Sequence, residues 1–207
     1  MAHGAPRNRR YTHETGGVNL SNPGEQAIEL SLNAEIAGNY KNPAQRARLL
    51  TEHWVSESAF CPNCGHLRLE KYPNNRPVAD FYCLQCGEDY ELKSKQNSLG
   101  AKILDGSYKT KMERLQSGIH PNLFLLTYDL SSLYILDFFV IPKYFFVPEI
   151  IEKRRPLTRY ARGAGWTGSC ILLDRVPKVG KIYIVKVKRR CMRPKERVLA
   201  QWRGTLF

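Results

Sequence analysis

The sequence predicts an α/β (α+β) fold in which a central sheet is covered by helices. Two apolar runs, Asn122–Tyr128 (NLFLLTY) and Leu133–Ile141 (LYILDFFVI), have the length of strands. Because these runs are continuous rather than alternating, we expect strands that are covered on both faces. Residues 43–56, in contrast, repeat their apolar side chains at helical spacing. Two Cys-x-x-Cys-Gly units, beginning at Cys61 and Cys83, add a small cysteine-containing hairpin.

The composition bounds the class of protein. A chain of 207 residues with a hydrophobic fraction of 43% suits one domain with a real core. The longest apolar run is too short to span a bilayer, and no secretory signal precedes it, so we predict a cytoplasmic protein without a membrane partner. A net charge of +13 indicates a polyanionic partner, most simply nucleic acid. No phosphate-binding Gly-x-x-x-x-Gly-Lys loop is present, and we predict no small-molecule cofactor.

The N-terminal part of the chain divides into an arm and two helices. Residues 1–23 have no hydrophobic period and are predicted to be a mobile basic arm, with the domain occupying residues 24–207. Residues 24–40 are predicted to form a helix. Asn42-Pro43 then starts a second helix, since Asn caps helices and Pro fits their first turn. Glu52, near the end of that helix, either adds a carboxylate to a site in the hairpin or is solvated.

The hairpin carries two pairs of cysteines, Cys61 with Cys64 and Cys83 with Cys86. A glycine follows each pair and permits the positive φ of a tight turn. Two such pairs, separated by a loop of about 15–20 residues, are typical of a tetrahedral zinc site. We therefore predict zinc knuckles within residues 61–86 that hold a structural Zn²⁺ with four thiolates.

Acidic residues flank the second cysteine pair, with Asp80 before it and Glu91-Leu92-Lys93 after it. Side chains alternate along a strand, so Glu91 and Lys93 point to one side while Leu92 points into the core. Two carboxylates can hold a divalent cation, and an ammonium group can position or polarise the attacking water. Metal-assisted hydrolysis of a phosphodiester needs these groups. Asp80, Glu91 and Lys93 are therefore the predicted catalytic residues.

The segments after the hairpin predict further elements. Residues 78–83 and 89–94 are expected to be strands, and residues 94–100 a polar loop whose Lys95 contacts DNA. Asp105 is expected to cap a helix through about residue 116, with Lys111 and Arg114 facing water or phosphate. Residues 181–188 form a further predicted strand. The basic segment 186–203 either follows a phosphate backbone or is a solvated tail.

Residues 153–169 (KRRPLTRYARGAGWTGS) combine arginines with Tyr160 and Trp166 in a glycine-rich setting. Arginine pairs with phosphate, and an aromatic ring stacks on bases or inserts between them. The alternative is a surface loop whose Trp166 folds back into the core. The predicted DNA contacts of this loop are Trp166, Arg154, Arg155, Arg159 and Arg162.

Several motifs together resemble the nuclease domain of the DpnI family, from about residue 29 to the end of the chain. They are Tyr40-Lys41-Asn42, Ala47 to Glu52, the CPNCG knuckle, Asn74 to Cys83 (NNRPVADFYC), Glu91 to Lys95 (ELKSK), Asp105-Gly106, Phe124 to Tyr128, Ile141-Pro142-Lys143 and Ala164-Gly165-Trp166. The resemblance implies the PD-(D/E)XK restriction-endonuclease-like fold, a mixed sheet flanked by helices. The best-known member of the family continues into a C-terminal winged-helix domain that has no counterpart before Phe207, so we expect either a truncated chain or a stand-alone nuclease domain.

The resemblance also implies an activity. It indicates a Mg²⁺-dependent type II restriction endonuclease that cleaves double-stranded DNA at adenine-methylated GATC. Carried over by motif, Asp80, Glu91 and the Leu92 carbonyl hold Mg²⁺ and Lys93 completes the catalytic set. The four cysteines become the zinc ligands. Leu157 joins Trp166 as a residue that approaches the methylated bases.

Two other functions remain open at the level of sequence. The first is a non-catalytic zinc-ribbon protein that reads methylated DNA, which would bind without cutting and would keep Asp80 and Glu91 apart. The second is a PD-(D/E)XK nuclease of different specificity, which would cut regardless of adenine methylation. The presence of Asp80, Glu91 and Lys93 disfavours the first, and the NNRPVADFYC segment disfavours the second.

Overall fold

The computed structural model describes residues 30–73, 79–118, 120–186 and 191–206, with backbone only at residues 191 and 192. The predicted mobile arm of residues 1–23 lies outside these residues. So do the first part of the helix predicted for residues 24–40 and most of the turn predicted around residues 73–77.

Three α-helices and ten strands make up the described fold. The helices are α1 (Pro43–Ser58), α2 (Tyr108–Ser117) and α3 (Lys195–Arg203). The strands are β1 (Glu70–Lys71), β2 (Phe81–Tyr82), β3 (Asp89–Gln96), β4 (Lys102–Ser107), β5 (Asn122–Asp129), β6 (Tyr134–Ile141), β7 (Ile151–Lys153), β8 (Gly168–Leu172), β9 (Ile182–Lys186) and β10 (Cys191–Met192). Short 3₁₀ helices connect some of these elements. No helix in the described ranges is long and apolar enough to cross a membrane.

The main sheet has seven strands in the order β1-β2-β3-β5-β6-β9-β10, and β3 and β5 form its parallel pair. The other neighbours are antiparallel. A second, three-stranded antiparallel sheet has the order β4-β8-β7. The parallel connection from β3 to β5 runs through β4 and α2, because a parallel pair needs a crossover. The predicted mixed sheet flanked by helices is confirmed.

The central strands are buried on both faces, as their continuous apolar runs predict. Along β5, Phe124 and Leu126 join one hydrophobic cluster, which also receives side chains of α1 and α3. Leu123 and Leu125 join a second cluster, which contains side chains of α2 and the smaller sheet. The alternation follows from the period of two of a strand. The main sheet therefore lies between two layers, and α1 and α2 lie on opposite sides of it.

Helix α1 begins where the sequence predicts. The Asn42 side-chain oxygen accepts hydrogen bonds from the backbone N–H groups of Ala44 and Gln45, at 2.9 and 3.3 Å, and Pro43 occupies the first turn. These bonds satisfy donors that have no partner within the helix. The helix buries Leu50 and Trp54 against the sheet.

The helix predicted for residues 24–40 is wrong in its described part. Leu30 and Leu32 are buried while Ser31 is exposed, which is the alternation of an extended chain. Ser31 forms an isolated bridge with Tyr134, and only Ala34–Ala37 turn into a 3₁₀ helix. The spacing of two between the leucines was the better signal.

Helix α2 begins at Tyr108 rather than at Asp105. The side chain of Ser107 caps it by accepting from the Thr110 N–H at 3.5 Å. Asp105 belongs to β4, where it pairs with Ser169 of β8. The polar loop predicted for residues 94–100 is also shorter than expected, because β3 continues to Gln96 and includes Lys95.

The C-terminal basic segment is not a solvated tail over its described part. Residues 195–203 form α3, which buries Val198 and Trp202 in the hydrophobic cluster on the α1 side of the sheet. Val198 and Trp202 are four residues apart, so they lie on one face of the helix, while Glu196, Arg197 and Arg203 are exposed.

Candidate functional site

The four predicted zinc ligands come together. The sulfur atoms of Cys61, Cys64, Cys83 and Cys86 all lie within 4.8 Å of one another. The Cys61–Cys86 and Cys64–Cys83 sulfur distances are both 3.6 Å. Four thiolates around Zn²⁺ at about 2.3 Å would be roughly 3.8 Å apart at the edges of a tetrahedron. The cluster therefore fits a four-coordinate metal ion and leaves no ligand position open.

Two matching backbone turns build this cluster. The Gly65 N–H donates to the Cys61 carbonyl at 2.8 Å, and the Gly87 N–H donates to the Cys83 carbonyl at 2.9 Å. Both glycines have positive φ, of 82° and 69°, which a side chain would strain. A Cβ at Gly65 would also lie 3.1 Å from Leu199 of α3, so the helix packs directly on the first knuckle.

A cavity opens where β2 stops covering β3. The β2–β3 pairing ends at Tyr90, and among the described residues no strand continues along this edge of β3 beyond it. A cavity of about 290 Å³ occupies the resulting space. Its lining comes from α1, β3, α2 and the segment before β2, and consists of Arg48, Thr51, Glu52, Ala79, Asp80, Glu91, Leu92, Lys93, Ser94 and Arg114.

Asp80 sits at the point where the strand pairing ends. Its backbone N–H donates to the Tyr90 carbonyl at 2.9 Å, and its carboxylate accepts the Leu92 N–H at 2.7 Å. Within the described part of the chain Asp80 forms no salt bridge. Burial raises the pKa of Asp80, and the nearby carboxylates of Glu91 and Glu52 raise it further against the lowering effect of the Leu92 N–H. Asp80 is therefore an acidic group without a basic partner of its own.

Glu91 and Lys93 face the same side of β3, as predicted, and contact each other. Lys93 Nζ lies 2.7 Å from Glu91 Oε1. Burial alone would lower the pKa of Lys93, but the attraction of Glu91 and Asp105 outweighs burial and raises it above the ordinary value. Lys93 therefore carries its proton at neutral pH in this arrangement.

Behind these residues lie two that the sequence interpretation missed. Asp105 of β4 contacts Lys93 Nζ at 2.9 Å and Lys111 Nζ at 2.8 Å, and Lys111 reaches Glu91 Oε2 at 3.2 Å. Burial favours the neutral acid at Asp105, yet the two ammonium groups dominate and lower its pKa to about 2. Lys111 is only 8% exposed, so its predicted position facing water or phosphate is wrong. Because Asp105 was interpreted as a helix cap, the sequence did not indicate that it would be a buried strand residue beside Lys93.

Glu52 is buried rather than solvated. It is 4% exposed, and its carboxylate forms salt bridges with Arg48 at 2.5 Å and with Lys71 at 2.6 Å. Its position on the cavity wall adds a third carboxylate beside Asp80 and Glu91. A buried carboxylate needs such partners, because an unpaired charge is costly away from water.

The cavity has the donor set that a hard divalent cation needs. Carboxylate and carbonyl oxygens are the ligands of Mg²⁺, and Asp80, Glu91 and Leu92 all line the cavity. Burial, together with the nearby carboxylates of Glu91 and Glu52, raises the pKa of Asp80, and no basic side chain of the described residues forms a salt bridge with it. Glu91, by contrast, directs its oxygens at Lys93 and Lys111. The residues present therefore fit a cation at the Asp80 side of the cavity.

The predicted DNA-contact loop joins β7 to β8 in the smaller sheet. The two apolar residues predicted to contact DNA, Leu157 and Trp166, lie opposite each other in a narrow hairpin. The Leu157 N–H donates to the Trp166 carbonyl at 2.9 Å, and the Gly165 N–H donates to the Leu157 carbonyl at 3.1 Å. Trp166 is 44% exposed, so it does not fold back into the core. Its ring lies over Gly168, where a Cβ would come within 2.9 Å of it.

The basic residues of this loop are all exposed, namely Arg154, Arg155, Arg159 and Arg162. Tyr160 is 82% exposed, and the guanidinium of Arg159 lies 4.7 Å from the centre of its ring. Lys95 is not part of this loop, since it is an exposed residue of β3 two positions beyond Lys93.

The mixed sheet, the flanking helices and the cysteine cluster define a protein of the PD-(D/E)XK restriction-endonuclease-like fold class. Residues 28–207 match the family described as DpnI, the Dam-replacing family. That match covers most of the chain, and the chain therefore belongs to the DpnI family. Membership indicates a nuclease of the restriction type that acts on methylated DNA, with DNA as its substrate.

Proposed function

We propose that this protein is a Mg²⁺-dependent type II restriction endonuclease that cleaves double-stranded DNA at adenine-methylated GATC. The observation that carries the proposal is the convergence of Asp80, Glu91 and Lys93 on one cavity at an open sheet edge. The net charge of +13 suits a polyanionic substrate. Family membership supports a restriction-type function on methylated DNA, and the dependence on Mg²⁺ and the specificity for GATC are part of the proposal.

In this proposal the cavity residues divide the work of hydrolysis. Asp80, Glu91 and the Leu92 carbonyl would hold Mg²⁺, which when bound neutralises charge on the phosphate and the leaving oxygen. Lys93 orients the attacking water by donating hydrogen bonds from its ammonium group. We assign it that role rather than proton removal because Nζ already lies between the carboxylates of Glu91 and Asp105.

The four cysteines serve as ligands of a structural Zn²⁺, because all four are thiols and the shell has no open position for a substrate. The knuckles precede and follow β2, so the metal would fix the segment that carries Asp80. Zinc-binding thiols need a reducing environment, and we accordingly propose a cytoplasmic location. We also propose that residues 1–23 are a basic arm preceding a nuclease domain of residues 24–207.

DNA contact is proposed for the β7–β8 loop and for Lys95. Arg154, Arg155, Arg159 and Arg162 would bind backbone phosphates, while Leu157 and Trp166 approach the methylated bases. Their exposure supports this assignment, since the loop presents apolar and cationic groups to solvent together. Backbone contacts position a protein on DNA, and contacts to base edges give specificity.

The experiment that tests the proposal is cleavage of a plasmid containing GATC sites, with and without adenine methylation, in Mg²⁺ and in EDTA. The proposal expects cutting of the methylated plasmid in Mg²⁺ alone. Cutting of both plasmids would instead indicate a nuclease of different specificity. Binding of methylated DNA without any cutting would indicate a reader, although Asp80 and Glu91 line the same cavity rather than lying apart.

We expect Trp166→Ala to weaken binding to methylated duplex by about 10-fold, because stacking of one aromatic ring on a base contributes roughly 1–3 kcal/mol. The measurement is a binding titration in EDTA, so that cleavage does not interfere. Val179→Ala removes an exposed apolar side chain from a different surface segment and should leave the affinity unchanged. Equal affinities of wild type and Trp166→Ala would remove this residue from the proposed interface.

A further inference from the structure

Four charged side chains form a closed ring at the back of the cavity. Around the ring, Glu91 contacts Lys93 at 2.7 Å, Lys93 contacts Asp105 at 2.9 Å, Asp105 contacts Lys111 at 2.8 Å, and Lys111 contacts Glu91 at 3.2 Å. Each lysine lies between two carboxylates and each carboxylate between two lysines. Glu91 and Lys93 line the cavity, whereas Asp105 and Lys111 lie behind them.

We propose that Asp105 is a positioning residue that holds the ammonium group of Lys93 where it can orient the attacking water. The proposal rests on the proposed function, in which Lys93 orients the attacking water and Glu91 binds Mg²⁺. Once Glu91 is committed to a cation, Asp105 is the ring carboxylate that remains free to hold Lys93. Asp105 therefore keeps Lys93 aligned in the state in which alignment matters.

The surroundings of Asp105 suit this task. Its side chain is only 2% exposed, so its ion pairs are poorly screened by solvent. Its backbone belongs to the β4–β8 ladder, where it pairs with Ser169. The Ser169 hydroxyl donates to the carbonyl of the next residue, Gly106, at 3.0 Å. Asp105 is thus attached to a rigid sheet, which is a better support for a long flexible lysine than another side chain on a loop.

Lys111 explains why one carboxylate between the two lysines is not enough. Without Asp105, both ammonium groups would depend on Glu91 alone, at 2.7 and 3.2 Å. Two like charges sharing one buried partner repel each other, and Lys93 would lose its fixed direction. Asp105 balances the second ammonium and so removes the competition for Glu91.

The first test is Asp105→Asn, which keeps the shape of the side chain and removes its charge. We expect kcat for methylated duplex to fall by about 10–100-fold, the usual range for residues that orient a catalytic group. KM should stay nearly constant, because Asp105 lies behind the cavity rather than on its surface. Asp174→Asn makes the same change at an exposed position and should have no effect. An unchanged kcat in Asp105→Asn would overturn the proposal.

The second test separates positioning from simple stabilisation. Asp105→Asn leaves the buried ammonium group of Lys111 with Glu91 as its one remaining ring carboxylate, and this loss will lower the stability of the protein. Lys111→Met removes the ammonium group and with it this source of instability. We expect Asp105→Asn still to lower kcat in the Lys111→Met background, by a smaller factor than in wild type, because Asp105 holds Lys93 directly while the competition of Lys111 for Glu91 is already gone. This comparison also serves if Asp105→Asn alone does not fold. If the effect disappears in that background, Asp105 acts only through Lys111 and the proposal fails.

The third test needs no cleavage. A lysine ammonium held by two carboxylates exchanges its protons slowly enough to give a ¹⁵N-detected resonance in the DNA-free protein, which Lys93→Arg would assign. We expect this resonance to broaden or vanish in Asp105→Asn and to persist in Asp174→Asn. Its persistence in Asp105→Asn would overturn the proposal. A wild-type protein that cuts no DNA would refute the proposed function, while this measurement would still decide the role of Asp105.

Discussion

Asp80→Asn is expected to abolish cleavage of methylated DNA while leaving the fold intact. In wild type the Leu92 N–H donates to the Asp80 carboxylate at 2.7 Å. The amide oxygen of the introduced asparagine can accept the same hydrogen bond, so the contact between this residue and the edge of β3 is kept. The negative charge that would bind the cation is lost. We expect kcat to fall by about 1,000-fold or more, which corresponds to about 4 kcal/mol and agrees with the several kcal/mol that a catalytic cation supplies.

Single-turnover cleavage and thermal unfolding should be measured on the same preparation of this variant. Asp174→Asn is the matched control, since it makes the same substitution on an exposed turn. Affinity for DNA in EDTA should be preserved or improved, because removing a carboxylate reduces repulsion of phosphate. Cleavage within a few-fold of wild type, in a variant that is folded and binds DNA, would remove Asp80 from the catalytic centre.

Cys83→Ser is expected to have the largest effect on stability. Cys83 is a buried member of the core cluster as well as of the four-thiol group. Loss of one thiolate weakens metal binding, and the free energy of metal binding contributes directly to folding. We expect the free energy of unfolding to fall by more than about 3 kcal/mol, which is a drop in Tm of roughly 6–12 °C for a chain of this size.

The accompanying measurement is the zinc content of the purified protein. Wild type should contain one zinc ion per chain, and Cys83→Ser should contain substantially less. Cys170→Ala offers a comparison at a buried cysteine outside the cluster, and it should retain full zinc content. A zinc-free Cys83→Ser protein with the Tm of wild type would contradict the structural role of the cluster.

Much of the site could be predicted because its residues lie close together in the sequence. The Cys-x-x-Cys spacing of the two cysteine pairs is enough to predict a zinc site. The period of two of a strand is enough to place Glu91 and Lys93 on one side of β3. The sheet followed from continuous apolar runs such as Asn122–Tyr128, which only a doubly covered strand requires. In each of these cases a local pattern and the final structure depend on the same physical constraint.

The residues that were missed depend on contacts between distant segments. In the sequence Asp105 is a typical helix-capping residue, but in the structure it pairs with β8 and belongs to a strand. The helix is capped by Ser107 instead. Lys111 has the exposure pattern of a surface lysine until Asp105 and Glu91 come close to it. Burial of Glu52 depends similarly on Lys71, which lies on another element. Ion pairs of this kind leave no period in the sequence.

Helix α3 and the extended segment at Leu30 show the same limit for the fold. Many of the side chains of α3 are charged, and only Val198 and Trp202 mark the face that meets the sheet. Two buried apolar residues in nine are too few to distinguish a docked helix from a basic tail. At Leu30 and Leu32 the pattern was equally short, and pairing with the start of β6 determined the conformation.

The open edge of β3 has a consequence for the solubility of the protein. Beyond Tyr90 the described structure shows no strand on that side, so the edge offers free backbone groups to any other extended chain. Charged side chains at Glu91, Lys93 and Lys95, together with the Asp80 carboxylate on the Leu92 N–H, oppose such pairing between molecules. The residues proposed to cut DNA therefore also protect the protein from edge-to-edge aggregation, and variants that neutralise several of them at once should be less soluble.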